Sequence, residues 1–236
     1  MSTTRARTSR RRTRTAPVSL ARTPWALATV AVLVLVALFA VYRSEEHSAA
    51  GGGPAGGGDR YAVGSPGVGA MAPDFALPAA LPAALPLGAA AGAPATVRLS
   101  DFRGRTVLLY FHEGLGCQPC WTQIRDLQRD PVALRAAGID QLLTITSGPA
   151  DLVARKVADD KLTEPALVDA DLAVSRDYRA NRYGMMGDSR DGHSFVLVGP
   201  DGRIQWRADY GGAPDYTMYV PVDQLLADLR AGRRAA

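Results

Sequence analysis

The sequence predicts an α/β domain, in which helices cover both faces of a mixed β-sheet, over most of the chain after residue 97. Short apolar, β-branched segments alternate there with amphipathic ones, which is typical of buried strands connected by helices. The turn at 199–202 (GPDG) joins two further apolar segments and predicts an antiparallel hairpin. The first hundred residues differ strongly in composition, so we predict one compact domain with N-terminal appendages.

The predicted elements follow a β-α-β-α-β-α-β-β-α order. The final helix is the clearest, because its leucines and valine recur at helical spacing. In chain order the elements are a strand at 105–113, a helix from about 119, a strand at 139–147, a helix at 151–162, a short strand at 166–169, a helix at 171–184, strands at 193–198 and 203–210, and a helix at 222–230.

Residues 25–42 form an 18-residue segment without a charge, which predicts one transmembrane helix before the domain. As a helix it would span about 27 Å, close to the ~30 Å hydrocarbon core of a bilayer. Trp25 and Tyr42 lie at its ends, where amphipathic rings favour the interface. The alternative is a cleaved signal peptide, but Arg43 and two glutamates follow instead of small residues typical of a cleavage site.

The positive charge of the chain is concentrated in residues 1–24, which we predict to be a basic cytoplasmic tail. Seven of the 27 basic residues precede Trp25, and the rest of the chain has 20 basic against 23 acidic residues, a net charge of −3. Arginines before the span place the N-terminus inside, so we predict a single-pass protein of the cytoplasmic membrane with an extracytoplasmic domain. The slightly acidic domain offers no positive electrostatic potential that would attract a phosphate backbone, so no nucleic-acid partner is expected.

Two segments of low complexity divide the region between the span and the strands. Residues 43–70 are dominated by glycine, alanine and small polar residues and predict a flexible linker. The domain is then assigned to 71–236. Residues 77–95 contain an LPAA repeat, whose prolines disfavour both a helix and a central strand, so we predict a surface insertion within the domain.

Cys117 and Cys120 are separated by Gln118 and Pro119, where a predicted buried strand leads into a helix. The N–H groups and the macrodipole of a helix N-terminus stabilise a thiolate. Cys117 is therefore the predicted nucleophile, and Cys120, one turn further, attacks the mixed disulfide. Pro119 suits the first helical turn.

Two neighbouring cysteines have three other interpretations besides a redox-active pair. A structural disulfide over four residues closes too small a loop to constrain the unfolded chain. A four-cysteine metal site is excluded, because the chain has two cysteines. Reduced buried thiols are not expected outside the cytoplasm. We therefore predict a redox disulfide, with no metal and no other cofactor.

Five segments resemble, in order, the landmarks of one known superfamily. They are APDFALP at 72–78, VRLSDFRGRTVLLYF at 97–111, CQPC at 117–120, LVDADLAVSRDY at 167–178 and FVLVGPDGRIQWR at 195–207. The chain is similar to the thioredoxin-like superfamily, in the redoxin branch that includes the alkyl hydroperoxide reductase/thiol-specific antioxidant (AhpC/TSA) proteins. The resemblance implies a thioredoxin-like fold and transfers nucleophilic and resolving roles to the two cysteines.

Two positions depart from the peroxiredoxins of this branch. Their P-x-x-x-T-x-x-C segment, with its cysteine laid on Cys120, places Glu113 at the proline and Cys117 at the threonine. Three residues before the phenylalanine matched to Phe195, peroxiredoxins have an arginine and thioredoxin-like proteins a cis-proline, whereas this chain has Gly192. Peroxide reduction is the activity that this departure disfavours most, since no residue evident there would stabilise the leaving oxygen.

Several neighbours of the cysteines are candidate site residues. His112 ends a predicted strand, and His193 precedes one whose counterpart in the superfamily faces the CxxC, so either could assist the thiolate. With both thiolates a histidine could also bind copper(I), as in Sco-type chaperones of the same fold, although their cysteines are spaced CxxxC. Glu113 is a candidate for proton transfer to Cys120, and Trp121 for a wall beside the pair.

The sequence therefore predicts an extracytoplasmic thiol-disulfide oxidoreductase, whose partner is a protein thiol or disulfide or a membrane electron donor. A thiol peroxidase that reacts with peroxide is the main alternative, and a copper-binding chaperone is the third. Residues 206–221 are rich in aromatics and glycine and are candidates for a lip over the site. The direction of electron flow stays open.

Overall fold

A computed structural model describes residues 32–36, 60–80 and 95–235. The chain divides into two units, residues 1–47 and 48–236. In the first, residues 32–36 are helical and exposed, and the rest of the predicted span at 25–42 lies outside the described residues. Across the described ranges, no helix is long and apolar enough to cross a membrane.

The second unit contains a seven-stranded mixed sheet, which confirms the predicted α/β class. Its strands are β1 (Ala76–Ala80), β2 (Thr96–Arg98), β3 (Val107–His112), β4 (Gln141–Thr146), β5 (Ala166–Val168), β6 (Ser194–Val198) and β7 (Ile204–Asp209). They are ordered β2-β1-β5-β4-β3-β6-β7 across the sheet. β3, β4 and β5 are parallel, whereas β6 runs antiparallel to β3 and β7 antiparallel to β6.

Helices cover both faces of this sheet, as predicted. They are α1 (Gln118–Arg129), α2 (Pro131–Ala136), α3 (Ala150–Asp159), α4 (Ala173–Asp177) and α5 (Val222–Ala235). Every residue of β3 is buried, and its side chains alternate between two cores. Tyr110 packs with Trp121 of α1 on one face, and Phe111 with Tyr178 on the other. β3 therefore runs through the middle of the domain and ends where α1 begins.

The helix predicted at 171–184 is wrong in its length. α4 ends at Asp177, and only a short 3-10 turn at Ala180–Arg182 follows. Leu172 and Arg179 have φ of 59° and 50°, in the left-handed region that a right-handed helix cannot include. The right-handed helical conformation is therefore interrupted on both sides of α4.

The insertion predicted at 77–95 is wrong at its start, because β1 occupies Ala76–Ala80 inside the sheet. β1 pairs with β2 on one side and with β5 on the other. The Ala79 N–H points to the β2 side and donates to the Ala95 carbonyl at 2.7 Å. The position of the missing N–H of Pro78 therefore faces the β5 side. Pro78 is tolerated there because the β5 ladder starts only at Ala79. Residues 81–94 lie outside the described residues.

Residues 60–70, predicted as part of the linker at 43–70, lie along β7. Ala62 and Asp209 exchange two backbone hydrogen bonds of 3.0 and 2.9 Å. The side chain of Asp209 forms a fully buried ion pair with Arg207 and also accepts from the Gly64 N–H at 2.7 Å. Ordered packing therefore begins before the predicted domain boundary at 71, because β7 supplies a buried acceptor for this segment. Residues 43–59 lie outside the described residues.

Candidate active site

The cysteines are joined in a disulfide at the start of α1, where the sequence places them. Cys117 is the N-cap residue, and its sulfur accepts from the Cys120 N–H at 3.3 Å. Pro119 lies in the first turn, where its missing N–H removes no helical hydrogen bond. One sulfur therefore lies at the positive end of the helix and the other one turn inside it.

The disulfide is covered in this form of the protein. Cys117 is 4% exposed and Cys120 is fully buried. Met218 packs against the cysteine pair, and the three residues form a cluster of their own beside the two main cores. Met218 belongs to residues 211–221, which we call the cover segment. The predicted lip at 206–221 therefore does extend over the cysteine pair.

Trp121 supports the turn that leads into Cys117. Its ring is fully buried, and its indole N–H donates to the Gly114 carbonyl at 2.9 Å. Gly114 has a φ of 81°, and a Cβ there would approach the Thr146 hydroxyl to 2.5 Å, so this position requires glycine. Trp121 is thus a structural wall that holds the approach to Cys117 in place.

Lys156 brings a positive charge to the start of α1. Its ammonium lies 5.8 Å from the centre of the Trp121 ring and 3.5 Å from the Gln118 side-chain oxygen, while it pairs with Asp160 at 2.9 Å. The position of Lys156 beside α1 is not predicted by the sequence, because α3 approaches α1 only in the folded domain.

His112 and His193 both lie against Tyr110, and His112 also contacts Trp121 of α1. Both are fully buried, and their rings lie 5.2 and 5.1 Å from the Tyr110 ring. The Tyr110 hydroxyl is hydrogen-bonded to His193 Nδ1 at 3.1 Å. Among the described residues, both ring nitrogens of His112 lack a hydrogen-bond partner, and so does Nε2 of His193. Burial lowers the pKa of His112 to about 3, and burial together with the nearby His112 does the same for His193.

We expect the His112→Phe variant to resist acid better than the wild type. The pKa of His112 is about 3 in the folded state and 6.5 in the unfolded state, so the unfolded state binds the proton first. The stability of the fold is therefore complete above pH 6.5 and is lost as pH falls towards 3. Phenylalanine has no proton to bind and leaves no unpaired nitrogen, so the variant should lose about 2 kcal/mol less stability between about pH 6.5 and 5.

Urea unfolding of the oxidised protein at both pH values measures this difference. His193→Phe is the matched variant, since it removes the same titration but leaves the Tyr110 hydroxyl unpaired, and it should be the less stable of the two at pH 7. An acid-induced loss in His112→Phe equal to that of the wild type would refute the expectation.

Glu113 follows β3 directly and faces the segment before β6. It is 4% exposed, and its carboxylate accepts from the Met185 N–H. A Cβ on Gly184 would approach Glu113 Oε1 to 2.7 Å and the Gly192 Cα to 2.9 Å. The acid predicted near the cysteines therefore lies against Gly184, which also contacts Gly192, the position that departs from the superfamily.

Arg190 also contacts Glu113, which the sequence did not predict. Its guanidinium donates to the Glu113 backbone carbonyl at 3.2 Å. This arginine lies two residues before Gly192, the place where the resemblance to peroxiredoxins called for one. Only the contact across the sheet edge reveals it, because no spacing in the sequence links position 190 to position 113.

A second buried acidic group lies at the same edge of the sheet. The Ser175 hydroxyl lies between the carboxylates of Asp169 and Asp191, which are 0% and 1% exposed. Burial, and then the charge of Asp169, raises the pKa of Asp191 well above its usual range. One hydroxyl has a single proton and can donate to only one of the two carboxyl groups.

No metal-binding arrangement accompanies these residues. Within 32–36, 60–80 and 95–235, no group of three or more His, Cys, Asp and Glu side chains is placed to hold an ion. The copper(I) interpretation, which requires reduced thiols, stays a prediction.

A mixed sheet with a CxxC disulfide at the start of a helix defines the class of thioredoxin-like redox proteins. Within this class, the chain belongs to the AhpC/TSA family, whose model matches residues 68–207. The match includes both cysteines, all residues from β1 to β6 and most of β7. It confirms the resemblance found in the sequence. Among curated protein sequences, none matches this chain.

Solved structures of peroxiredoxins share the fold. The chain is similar to peroxidoxin BcpB from Mycobacterium tuberculosis, with 18% identity, a TM-score of 0.53 and coverage of 70% of this chain and 96% of that one. For reduced 2-Cys peroxiredoxin from Plasmodium vivax the values are 22%, 0.54, 69% and 80%. For Mycobacterium bovis AhpC they are 20%, 0.54, 70% and 95%. At this identity the likeness concerns the fold alone.

Proposed function

We propose that the protein is a thiol-disulfide oxidoreductase that uses Cys117 as the nucleophile and Cys120 as the resolving residue. The observation that carries the proposal is the Cys117–Cys120 disulfide with Cys117 at the N-cap of α1. The helix end stabilises a thiolate at this position, and a thiolate is both the attacking and the leaving group of disulfide exchange. The partner is a protein thiol or disulfide, or a membrane electron donor.

The exchange proceeds in two balanced steps. In the reduced form the Cys117 thiolate attacks one sulfur of a substrate disulfide, which forms a mixed disulfide and releases one substrate thiolate. Cys120 then loses its proton and attacks Cys117 Sγ, which closes the Cys117–Cys120 bond and releases the second substrate thiolate. Two electrons pass to the substrate, and an oxidised substrate pair becomes two thiols. The same steps in reverse oxidise a dithiol.

The surroundings of Gly192 favour exchange over peroxide reduction. Peroxide reduction releases hydroxide or alkoxide, whose developing charge needs a positive or hydrogen-bonding group. At this position the chain has no side chain, and the carboxyl of Glu113 lies against Gly184, which also contacts Gly192. A carboxylate next to the leaving oxygen would repel it.

A thiol peroxidase is the second candidate, and Arg190 together with the AhpC/TSA family match favours it. In that reaction a cysteine thiolate attacks a peroxide oxygen, giving a sulfenic acid and an alcohol or water. The second cysteine then condenses with the sulfenic acid to the disulfide and water. Arg190 would supply the positive charge that Gly192 does not.

Two rates measured on the reduced protein test the choice. We expect the reduced protein to reduce the disulfides of insulin in a single turnover, and oxidation of the pair by hydrogen peroxide to be no more than about tenfold faster than that of a free thiol with the same pKa. Arg190→Ala, beside Arg182→Ala as a control with an equal loss of charge, should leave the peroxide rate unchanged. Rapid peroxide oxidation that Arg190→Ala selectively slows, without insulin reduction, would select the peroxidase instead.

The domain is proposed to work outside the cytoplasmic membrane, tethered by residues 25–42. The apolar length of this segment supports a membrane span, and the arginines before it support this orientation. We expect the full-length protein to sediment with membranes, and protease added to cells stripped of their wall to digest the domain. A mature soluble form that begins after residue 47 would show that the segment is a cleaved signal.

A further inference from the structure

The disulfide cannot be attacked in the conformation that the structure shows. An incoming thiolate must reach a sulfur atom, and the residue that carries the nucleophilic sulfur, Cys117, is 4% exposed. Met218 packs directly on the pair. Some part of this cover must therefore move before the exchange reaction begins.

The cover segment is held firmly at its two ends. At one end, a Cβ on Gly211 would come within 2.1 Å of the Tyr183 carbonyl oxygen, so the backbone is in close contact with its neighbour. At the other end, the Val220 N–H donates to Gln123 of α1 at 2.7 Å, and the Tyr219 hydroxyl donates to Asp126 at 2.8 Å. These contacts fix where the segment crosses α1.

The middle of the cover segment is held much less. Residues 213–216 are exposed, and the local hydrogen bonds of this turn join it to itself and to Tyr210. Between the two ends, Met218 is the one buried residue. Its side chain has three rotatable bonds and adapts easily, so it is the part of the cover that can leave the disulfide while both ends stay in place.

We propose that Met218 is a specificity-determining residue, which shields the disulfide until a partner replaces its thioether with an apolar side chain next to the partner's reactive cysteine. The inference rests on the proposed function and names its substrate class: proteins whose cysteine is flanked by apolar residues. A small polar thiol has nothing to offer in place of Met218, and it therefore reacts slowly.

Exposed apolar side chains on both neighbouring segments suit a protein partner. Tyr216, two residues before Met218, is 43% exposed. Met185 and Met186 are 58% and 52% exposed, on the segment whose backbone binds Glu113 just before the cysteine turn. Flexible methionines are typical of surfaces that adapt to several apolar partners.

The Cys117–Cys120 disulfide can oxidise a pair of partner thiols without any further reagent. A partner thiolate attacks Cys117 Sγ, the Cys117–Cys120 bond breaks, and Cys120 leaves as a thiolate that takes up a proton. A second partner thiolate then attacks the partner's sulfur in the mixed disulfide, which releases Cys117 and leaves the partner oxidised.

Two blocked tripeptides, Leu-Cys-Leu and Gly-Cys-Gly, test the proposal on the oxidised full-length protein. Initial rates of disulfide loss in excess peptide are followed by acid quenching and mass spectrometry. We expect the wild type to react about tenfold faster with the leucine peptide, and Met218→Ala to reduce this preference to about twofold by accelerating the glycine peptide. Met218→Leu, which keeps an apolar cover, should retain most of the preference.

Met71→Ala is the matched control, because it removes a methionine side chain that is 48% exposed and lies outside the cover segment and the site. It should behave as the wild type. Equal wild-type rates for the two peptides, or unchanged rates in Met218→Ala at an unchanged thermal midpoint, would overturn the inference. If the wild type keeps the peptide preference but does not reduce insulin, only the proposed function is refuted.

Discussion

The Cys120→Ser variant is expected to accumulate mixed disulfides between Cys117 and its partner proteins. Resolution in the wild type is an intramolecular attack by a thiol one helical turn away, whose effective concentration far exceeds that of any thiol in solution. Removing that thiol should lengthen the life of the adduct by about a thousandfold or more. Non-reducing electrophoresis after acid quenching detects the adducts, and mass spectrometry identifies the partners.

Cys117→Ser is the matched variant, because it removes the other sulfur of the same pair. It should trap few adducts, since the remaining Cys120 is fully buried and lies inside the helix instead of at its N-cap. If Cys120→Ser traps nothing, while Cys117→Ser forms a sulfenic acid with one equivalent of peroxide, disulfide exchange is refuted and the peroxidase takes its place.

Gly192→Ala is expected to destabilise the domain by more than about 3 kcal/mol, which would lower the thermal midpoint by at least about 6 °C. A Cβ at this position would lie 2.1 Å from the Tyr183 carbonyl oxygen and 2.4 Å from that of Ala180. Both are backbone atoms, so neither can rotate out of the way. The segment before β6 would have to move away from the Tyr183 and Ala180 backbone.

Gly116→Ala is the control for this substitution, because a Cβ there meets no atom within 4 Å. Its stability should remain within about 0.5 kcal/mol of the wild type. Near-ultraviolet circular dichroism, which reports on the buried Trp121 and Trp206, measures both midpoints. A Gly192→Ala midpoint equal to that of Gly116→Ala would show that the close approach can relax without cost.

The same close approach explains why the residue expected by family resemblance is absent. Neither arginine nor proline fits at position 192 without displacing the Tyr183 backbone. The departure was visible in the sequence, but its reason was not, because Tyr183 and Gly192 belong to different segments that meet only after folding. The structure instead brings Arg190 to the Glu113 carbonyl.

The central elements were predictable because their signals are local. β3, β4 and the β6–β7 hairpin are short apolar runs, and burial of such runs requires little information from the rest of the chain. β1 was not predictable, because Pro78 disfavours a strand and only the pairing with β2 and β5 compensates. The packing of Gly64 along β7 likewise depends on the buried Asp209, which is 145 positions away.

The sequence by itself determined the α/β class, the AhpC/TSA resemblance and the place of the Cys117–Cys120 pair at a helix start. Each of these depends on a spacing of a few residues, which the chain carries locally. Only the tertiary structure decided that the disulfide is shielded by Met218, that His112 and His193 share Tyr110, and that Glu113 binds the Met185 backbone. Such contacts join positions about 70 to 100 residues apart, and only the packing of the folded chain determines which of them meet.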